Sequence, residues 1–322
     1  MDLFCAINKN KQKALSGFKI RIILMGNRWH FLFSVPFLLF FCLFWLIPLC
    51  WGVKSSFYSN TPVDPFNFDV DPVYEFVGLE NFRYVLSDLN YRKAINNTIR
   101  YTIASAFIII PFGFILAHLI RCANVKIRPI FTFCLLLPGL TPPAVLAVLF
   151  LLFFHGDQGM LNNLIVKPFG FEPINWTKDP QFILFALVLQ SVWRWTGFIA
   201  FFILCGMDAL PKGYSEAARV EGVGQWKFLF FVTFPLVRHI LVFALIFLLV
   251  DAFSMFSGAY SLLGGSGGTD NAGLLLVTHV YHTAFGKGNF ADAAAISLSV
   301  APVLMLLIFV AVFRPGKGDL TI

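Results

Sequence analysis

The sequence of 322 residues is 58% hydrophobic and 13% charged, has a formal net charge of +7 and contains 40 phenylalanines. Soluble domains are about 45–50% apolar and about 25% charged, so this composition excludes an ordinary soluble globule and predicts a polytopic membrane protein. The basic residues fall in short segments between apolar runs, which is the distribution that sets membrane topology. We therefore expect a lipid bilayer as partner and no nucleic acid.

Six apolar stretches are each long enough to cross about 30 Å of hydrocarbon as a helix. In chain order they are Phe31–Val53, Ile99–Ile120, Ile130–Phe154, Phe182–Cys205, Ile240–Gly258 and Phe290–Phe313. Their length and their lack of strict apolar–polar alternation favour helices over barrel strands. The first stretch is too long for the apolar region of a signal peptide and has no A-x-A-like cleavage site after it, so we expect it to be retained.

Lysine and arginine residues predict the orientation of these spans. Fifteen lie on the side that holds both termini and eight on the opposite side, which predicts cytosolic termini. The fold class is therefore an all-α polytopic membrane protein with six transmembrane helices. The predicted segments are 1–30, a cytosolic N-terminal segment; 31–53, the first span; 54–95, an external loop; 96–314, a core of five helices; 206–239, a cytosolic loop within that core; and 315–322, a cytosolic tail.

The external loop contains Phe76-Val77-Gly78-Leu79 and Phe82, so we expect a small ordered element there. The third stretch carries Pro138-Gly139-Leu140-Thr141-Pro142-Pro143 near its middle. Proline disrupts the helical hydrogen bonds of the preceding turn, and broken helices at membrane depth occur where protein or a cavity covers them. The cluster predicts a kink, which either lines a transport path, with Thr141 as a candidate path residue, or serves packing alone.

Arg194 and Asp251 are ionisable residues predicted well away from the ends of their spans, where charge is costly and usually functional. Arg194 lies near the midplane of the fourth stretch, and Asp251 lies in the outer half of the fifth. They either pair with each other or contact a polar solute. Trp193 and Trp195 flank Arg194, and Gln190 lies one turn away. Indole faces beside hydrogen-bonding groups suit a sugar ring, while packing is the alternative role for at least one tryptophan.

The loop from Ala209 to Pro235 has the most specific pattern in the chain, ALPKGYSEAARVEGVGQWKFLFFVTFP. Pro211 followed by Glu216 is typical of the start of a short helix, and Gly222 and Gly224 allow a turn. An apolar run follows. The pattern predicts a helix, a sharp bend and a second short helix, which either docks in a groove of another protein or is an ordinary interfacial loop.

This loop resembles the EAA motif of ABC importer permeases, which is Glu-Ala-Ala, three residues, Gly, nine residues, then Ile-x-Leu-Pro. The residues that match at full spacing are Glu216, Ala217, Ala218, Gly222 and Pro235, with conservative departures at Val232 and Phe234. Segments similar to the sugar-type permeases are Phe76–Phe82, Asn97-Thr98, Trp193–Phe198, Leu263–Gly265 and Tyr281 with Ala284-Phe285. The chain is thereby identified as a member of the carbohydrate-uptake branch, the binding-protein-dependent transport inner-membrane components similar to MalF and UgpA.

The resemblance implies the type I ABC importer permease fold and a coupling helix that docks in a cleft of an ATP-binding subunit. The residues expected to meet that subunit are Glu216, Ala217, Ala218, Gly222, Arg219 and Glu221. The implied complex contains a second permease, two ATPase subunits and an extracytoplasmic solute-binding protein, in the cytoplasmic (inner) membrane of a bacterium. We expect no cofactor on this chain, since ATP and magnesium belong to the ATPase subunits.

The expected path residues are Gln190, Trp193, Arg194, Trp195, Asp251, Thr141 and Tyr281, and a neutral oligosaccharide is the first choice of cargo, although Arg194 leaves room for an anionic solute. The sequence has no G-x-x-x-x-G-K-[ST] loop, so the chain is not expected to hydrolyse ATP, and no catalytic residue or metal site is assigned. One rival function is an ion-coupled secondary transporter, which predicts intramembrane acids and inverted repeats.

The other rival is an intramembrane protease. Gly264–Gly268 fits G-x-S-x-G, and His279 and His282 are the nearest candidate bases. A nucleophile elbow needs a strand before it and a helix after it, whereas this segment follows a predicted membrane helix. We therefore interpret the match as accidental.

Overall fold

The computed structural model describes residues 33–60 and 74–313. The predicted segments 1–30 and 315–322 lie outside the described residues, as does the middle of the external loop. The helices and strands are α1 Phe33–Ser55, β1 Tyr58–Asn60, β2 Tyr74–Phe76, α2 Glu80–Ser87, α3 Leu89–Cys122, α4 Arg128–Leu140, α5 Pro143–Phe153, α6 Pro180–Ala209, α7 Lys212–Val220, α8 Gln225–Leu236, α9 Arg238–Phe253, α10 Ser257–Leu262, α11 Leu276–Tyr281 and α12 Phe290–Phe313.

The chain divides into two units, Met1–Ser55 and Ser56–Ile322. The first unit contains α1, a membrane-length helix with a π-helical turn at Cys42–Leu46. None of its described residues is buried, which suits a helix that faces lipid. The remaining elements belong to the second unit.

Among the described residues, α1, α3, α6 and α12 are each long and apolar enough to cross a membrane. Two further pairs of helices are long and apolar enough to cross a membrane only if the two helices of each pair form one bent span. These are α4 with α5, bent by 94°, and α8 with α9, bent by 71°. The described chain thus holds four to six spans. The predicted bounds of the last span coincide with α12, a mainly apolar helix that continues unbroken past Asp292 and Pro302.

The predicted third span is not a continuous helix. Thr141 has φ −68° and ψ 128°, and Pro142 has φ −56° and ψ 139°, which is the extended conformation that a following proline favours. Two consecutive prolines therefore end α4 at Leu140 and turn the chain before α5. The prediction of one helix over Ile130–Phe154 is wrong, and the predicted kink is a full break.

The helix α3 begins well before the predicted second span, so the loop predicted at 54–95 is partly helical. The Asp88 carboxylate caps α3 by accepting a hydrogen bond from the Asn90 N–H at 2.9 Å. The first turns combine buried residues such as Tyr91 and Thr98 with exposed cations such as Arg92. These turns are too polar to resemble a membrane span, so the predicted span begins only at Ile99.

The external segment contains the ordered element predicted from its apolar residues. Strand β1 pairs antiparallel with β2, with Tyr58 opposite Phe76. Phe82 of α2 packs against Phe57 at 5.4 Å between ring centroids, and the Asn81 amide donates a hydrogen bond to the Tyr58 carbonyl at 2.9 Å. This small sheet is a departure from the all-α class, although the rest of the described chain is helix and loop.

The predicted fifth span, Ile240–Gly258, is also divided. Helix α9 ends at Phe253, and the non-helical Phe256, with φ −122° and ψ −66°, separates it from α10. The apolar character of this connection concealed the break. A Cβ on Gly258 would lie 3.2 Å from the side-chain oxygen of Gln190, so a glycine lets α10 approach α6 closely.

Small residues set the close packing around α6. A Cβ on Gly113 of α3 would lie 3.1 Å from Ile199. Gly197 lies against α4, where an added Cβ would overlap the backbone carbonyl of Leu135. Small residues at helix contacts let backbones approach within membranes, where packing rather than the hydrophobic effect drives association. Gly197 is therefore a point of close backbone contact between α4 and α6.

We predict that Gly197→Ala destabilises the protein, because the new methyl group must displace the α4 backbone, and overpacking of this kind costs about 1–3 kcal/mol. The melting temperature in detergent, followed by fluorescence-detected size exclusion, should fall by several degrees. Gly52→Ala in α1 is the matched control, since nothing lies within 4 Å of a Cβ there. Equal melting temperatures for Gly197→Ala and the unmodified protein would contradict the tight crossing.

Candidate functional site

The helix α6 carries most of the predicted path residues and directs them to different sides. Trp193 is 44% exposed, whereas Gln190 is fully buried. Arg194 and Trp195 are half-buried. Successive residues of an α-helix are separated by 100° of rotation, since 3.6 residues make a turn. The three consecutive residues at 193–195 therefore cannot share one surface, and the structure separates them into two sites.

Trp193 faces a cavity of about 1000 Å³ between α5, the loop after it, and α6. Its ring meets Phe150 edge to face, with centroids 5.7 Å apart. The lining residues are Leu149, Phe150, Leu152, Phe153, His155, Gln158, Met160, Asn163, Leu164, Leu189 and Trp193. The cavity thus has aromatic and aliphatic walls with a polar rim. The rim residues lie in a short loop with no sequence pattern that would have singled them out.

A buried asparagine fixes the loop that carries this rim. The Asn162 amide nitrogen donates hydrogen bonds to the carbonyls of His155, Gly156 and Ile174, at 3.3 Å for His155 and 2.9 Å for Ile174. Its side-chain oxygen accepts from the Ile174 N–H at 3.2 Å and from the Trp176 indole at 2.9 Å. Both ends of the loop are thereby joined, and the rim is held over the cavity.

The second site is a polar cluster on the other side of α6. The Arg194 guanidinium lies over the Trp195 ring, 4.7 Å from its centroid. Asp251 of α9 lies within the electrostatic range of Arg194 and within reach of the Trp195 indole N–H. The salt bridges among the described residues do not include an Arg194–Asp251 pair. The two predicted intramembrane charges are therefore neighbours that interact without direct contact.

Sequence reasoning missed other members of this cluster. The fully buried Tyr101 of α3 places its hydroxyl beside Ser191 and Ser105. Within the described chain, its oxygen, the Ser105 hydroxyl, both amide atoms of Gln190 and Nε of Arg194 make no hydrogen bond of standard geometry. Each such buried group costs about 1–3 kcal/mol. Hydroxyls in an apolar helix have no distinctive spacing, so no sequence signal identified them.

The remaining two path candidates lie elsewhere. Thr141 donates its hydroxyl to the Leu137 carbonyl at 2.9 Å, which satisfies one of the carbonyls at the end of α4. The break itself lies beside α6, since a Cβ on Gly139 would be 3.5 Å from the Arg194 carbonyl oxygen. Tyr281 packs against the rings of Phe256, Tyr260 and Phe285 at 5.0, 5.3 and 5.0 Å.

The G-x-S-x-G segment is a turn. The Ser266 hydroxyl donates to the Leu263 carbonyl at 3.0 Å and accepts from the Gly268 N–H at 3.1 Å. The preceding element is the helix α10, where a nucleophile elbow requires a strand. The geometry therefore gives Ser266 a structural role in closing the turn.

The loop after α6 has the predicted helix–bend–helix form. Helix α7 ends in two hydrogen bonds, from the Val223 N–H to the Ala218 carbonyl at 2.9 Å and from the Gly222 N–H to the Arg219 carbonyl at 3.1 Å. With Gly222 at φ +68°, this is a Schellman motif, in which a left-handed glycine closes the helix. The bend is therefore built into the hydrogen bonding of α7, and α8 starts after Gly224.

Helix α7 buries none of its residues. The residues predicted to meet a partner are exposed, except Ala218, which is half-buried; they are Glu216, Ala217, Arg219, Glu221 and Gly222. Val220 is 89% exposed. Helix α8 is anchored instead, since Trp226 contacts the His118 ring at 5.8 Å and Phe230 contacts Phe114 at 6.2 Å, both on α3. The exposed helix α7 is thus followed by the helix α8, which packs against α3.

Residues 109–317 match the family described as binding-protein-dependent transport system inner membrane component. The chain belongs to this family. It is therefore a permease subunit of an ABC importer, as the EAA-like loop predicted.

Curated relatives and solved structures agree with this family. The permease is 30% identical over 291 residues to the arabinooligosaccharides transport system permease protein AraP of Bacillus subtilis, covering 90% of each chain. It is 27% identical to the sn-glycerol-3-phosphate transport system permease protein UgpA of Escherichia coli, covering 91% of this chain and 95% of the relative. A crystal structure of a bacterial ABC transporter involved in alginate import superposes with a TM-score of 0.74 at 19% identity, covering 90% and 96% of the two chains.

We predict that Arg194 and Asp251 stabilise the permease as a mutually dependent pair. Arg194→Met leaves the Asp251 carboxylate in an apolar setting without its compensating charge, so the melting temperature should fall by several degrees. The double variant Arg194→Met/Asp251→Leu should recover most of that loss. Lys178→Met, at an exposed position, is the control. A double variant as unstable as the sum of its single changes would show that the two charges are independent.

Proposed function

We propose that the permease and a second permease subunit form the translocation path for a carbohydrate, which a solute-binding protein delivers. The observation that carries this proposal is the half-exposed Trp193 on the wall of the cavity of about 1000 Å³. The relatives support the solute class, since one is named for arabinooligosaccharides and another for sn-glycerol-3-phosphate. A second alginate importer structure with the same fold holds a periplasmic protein bound to an alginate pentasaccharide.

The chemistry of the cavity fits a neutral sugar. An indole face packs against the C–H groups of a sugar ring, and polar groups at its edge bond the hydroxyls. The rim offers the His155 ring and the Gln158 side chain for these bonds, whereas the Asn163 amide already bonds the Gln158 carbonyl and the Lys167 ammonium. Among the described residues, the lining contains no lysine, arginine, aspartate or glutamate. We therefore propose a neutral oligosaccharide as cargo and assign Arg194 to the polar cluster behind α6.

The polar cluster has a separate role in this proposal. Gln190 is fully buried and Trp195 lies between Phe198 and Phe247, at 5.6 and 5.0 Å. A solute in the cavity does not reach them in this conformation. We assign the cluster to fixing the rotation of α6 about its own axis, so that Trp193 is presented to the cavity. Its unpaired polar atoms leave room for new hydrogen bonds when the helices rearrange.

We predict that Trp193→Ala lowers uptake about tenfold or more at subsaturating solute, since the loss of about 1.4 kcal/mol of binding corresponds to a factor of ten. Trp193→Phe should retain part of the activity. Uptake of labelled arabinooligosaccharide into proteoliposomes, with the complete importer and its binding protein, is the measurement. Phe107→Ala, which removes a 78% exposed aromatic side chain of α3, is the control and should transport normally. Unchanged uptake by Trp193→Ala would sink the assignment of the cavity.

We further propose that two ATPase subunits drive the complex, one of them by docking on α7. The loop presents a groove of about 580 Å³ lined by Pro211, Gly213, Tyr214, Ala217, Ala218, Glu221, Val223 and Val232. Alanines let a partner approach closely, and Glu216, Arg219 and Glu221 offer charges for ion pairs. ATP and magnesium then belong to the partner subunits.

We predict that Gly222→Pro abolishes ATP-driven uptake while the protein still reaches the membrane. Proline fixes φ near −65°, which is incompatible with the φ of +68° at this residue, so the end of α7 must reorganise. Gly224→Pro is the matched control, because Gly224 has φ −64° and ψ 150°. ATPase binding is measured by co-purification and transport by uptake. Normal transport by Gly222→Pro would show that the proposed role of the bend is wrong.

The proposed topology follows from the excess of positive charge. If each bent pair crosses the bilayer once, the permease has six spans, with both termini and α7 in the cytosol and β1, β2 and α2 outside. The proposed location is the cytoplasmic membrane of a bacterium. Neither rival is favoured, because an ion-coupled transporter does not need a docking loop, and Ser266 is engaged in a turn.

A further inference from the structure

A carboxylate at the end of α6 joins three helices immediately before the α7 loop. Asp208 lies in the last turn of α6. One carboxylate oxygen accepts a hydrogen bond from Arg128, the first residue of α4. The other lies 3.9 Å from Nε of Arg121 in the last turn of α3. A single side chain thus connects α6 to both ends of the α3–α4 connection.

Two of these charges occupy unfavourable helix ends. The C-terminal end of a helix dipole is negative and the N-terminal end is positive, and a charge of the wrong sign costs about 0.3–1 kcal/mol. Asp208 lies at a C-terminal end and Arg128 at an N-terminal end. Local helix stability therefore does not explain either residue, whereas the bond between them does.

The burial of the cluster indicates a geometric role. The arginine side chains are 26% exposed and the Asp208 side chain is 42% exposed. Ion pairs with this much solvent contact contribute little to stability, about 0–1 kcal/mol. Their directional hydrogen bonds still fix the relative positions of the helix ends. The expected effect of losing Asp208 is therefore on the transmission of movement rather than on folding.

The position of the cluster specifies what it transmits. Helix α7 buries no residue, so a force on it reaches the spans through its two ends. The C-terminal end of α7 leads to α8, whose aromatic residues contact Phe114 and His118 of α3. The N-terminal end of α7 follows Asp208 closely in the chain, and Asp208 also bonds Arg128 of α4. Helix α4 ends at the break beside Arg194.

We propose that Asp208 is a positioning residue for energy coupling, which transmits the displacement of α7 to α3 and α4 through Arg121 and Arg128. The proposal rests on the proposed function, because it requires an ATPase that moves α7. Loss of the carboxylate then leaves ATPase docking intact and lets α7 move without α4.

The test compares transport with ATP hydrolysis in the same proteoliposomes, which contain the second permease, the ATPase subunits and the solute-binding protein. For Asp208→Asn we expect solute-stimulated ATP hydrolysis to continue and the solute transported per ATP to fall at least about fivefold, the lower end of usual coupling energies. Asp208→Glu should restore most of the ratio. Arg128→Gln, which removes the hydrogen-bond donor to Asp208 and keeps the carboxylate, should also lower the ratio. Glu172→Gln, an exposed carboxylate in another loop, should have no effect.

A ratio equal to that of the unmodified complex for Asp208→Asn would overturn the proposal. This includes a proportional fall in ATP hydrolysis and transport, which leaves their ratio unchanged and indicates that Asp208 has a merely structural role. If Asp208→Asn does not assemble, Arg128→Gln decides, because it removes the hydrogen bond to Asp208 and leaves the carboxylate in place. A normal ratio for Arg128→Gln would contradict the pairing. Failure of the proposed function is distinguishable, because the unmodified complex would then show no ATP-driven uptake at all.

Discussion

Backbone hydrogen bonding in a solvent without water is the constraint on which the rest of the permease depends. A helix satisfies its own amides and carbonyls in the bilayer, and every interruption must be covered by protein or line a hydrated space. The turn between α4 and α5 is such an interruption. The Thr141 hydroxyl bonds one carbonyl there, and α6 covers the turn at Arg194. This interruption is therefore placed against a helix that carries the half-buried charge of Arg194.

Helix α6 is the element that brings the different tasks together. One side carries Trp193 and faces a cavity, another carries Arg194 and meets Asp251 and Tyr101, and its end carries Asp208. Membrane helices hold polar groups in this way when neighbouring helices cover them. The proposed solute contact, the orientation of α6 and its connection to the exposed loop thus depend on the rotation of one helix. Glycines let α6 contact α3 and α4 closely.

The sequence was informative where one physical quantity decides the structure. A long, mainly apolar run located α12, and the spacing from Glu216 to Pro235 located α7 and its bend. The sequence did not predict features that depend on contacts between two elements. The polar first turns of α3 are helical because Asp88 caps them and their other face is buried, and neither fact appears in local hydropathy. The faces of α6 were not predictable either, because a helix apolar on nearly all sides has no pattern that fixes its rotation.

The tight crossing at Gly197 has a geometric consequence for α6. At 1.5 Å per residue, Trp193 lies about 6 Å from this crossing and Asp208 about 16 Å from it on the other side. If α6 tilts as a rigid rod about the crossing, the Asp208 end travels nearly three times as far as the Trp193 end. The helix then acts as a lever with unequal arms, in which a large displacement of Asp208 beside the exposed loop produces a smaller displacement of Trp193 at the cavity wall.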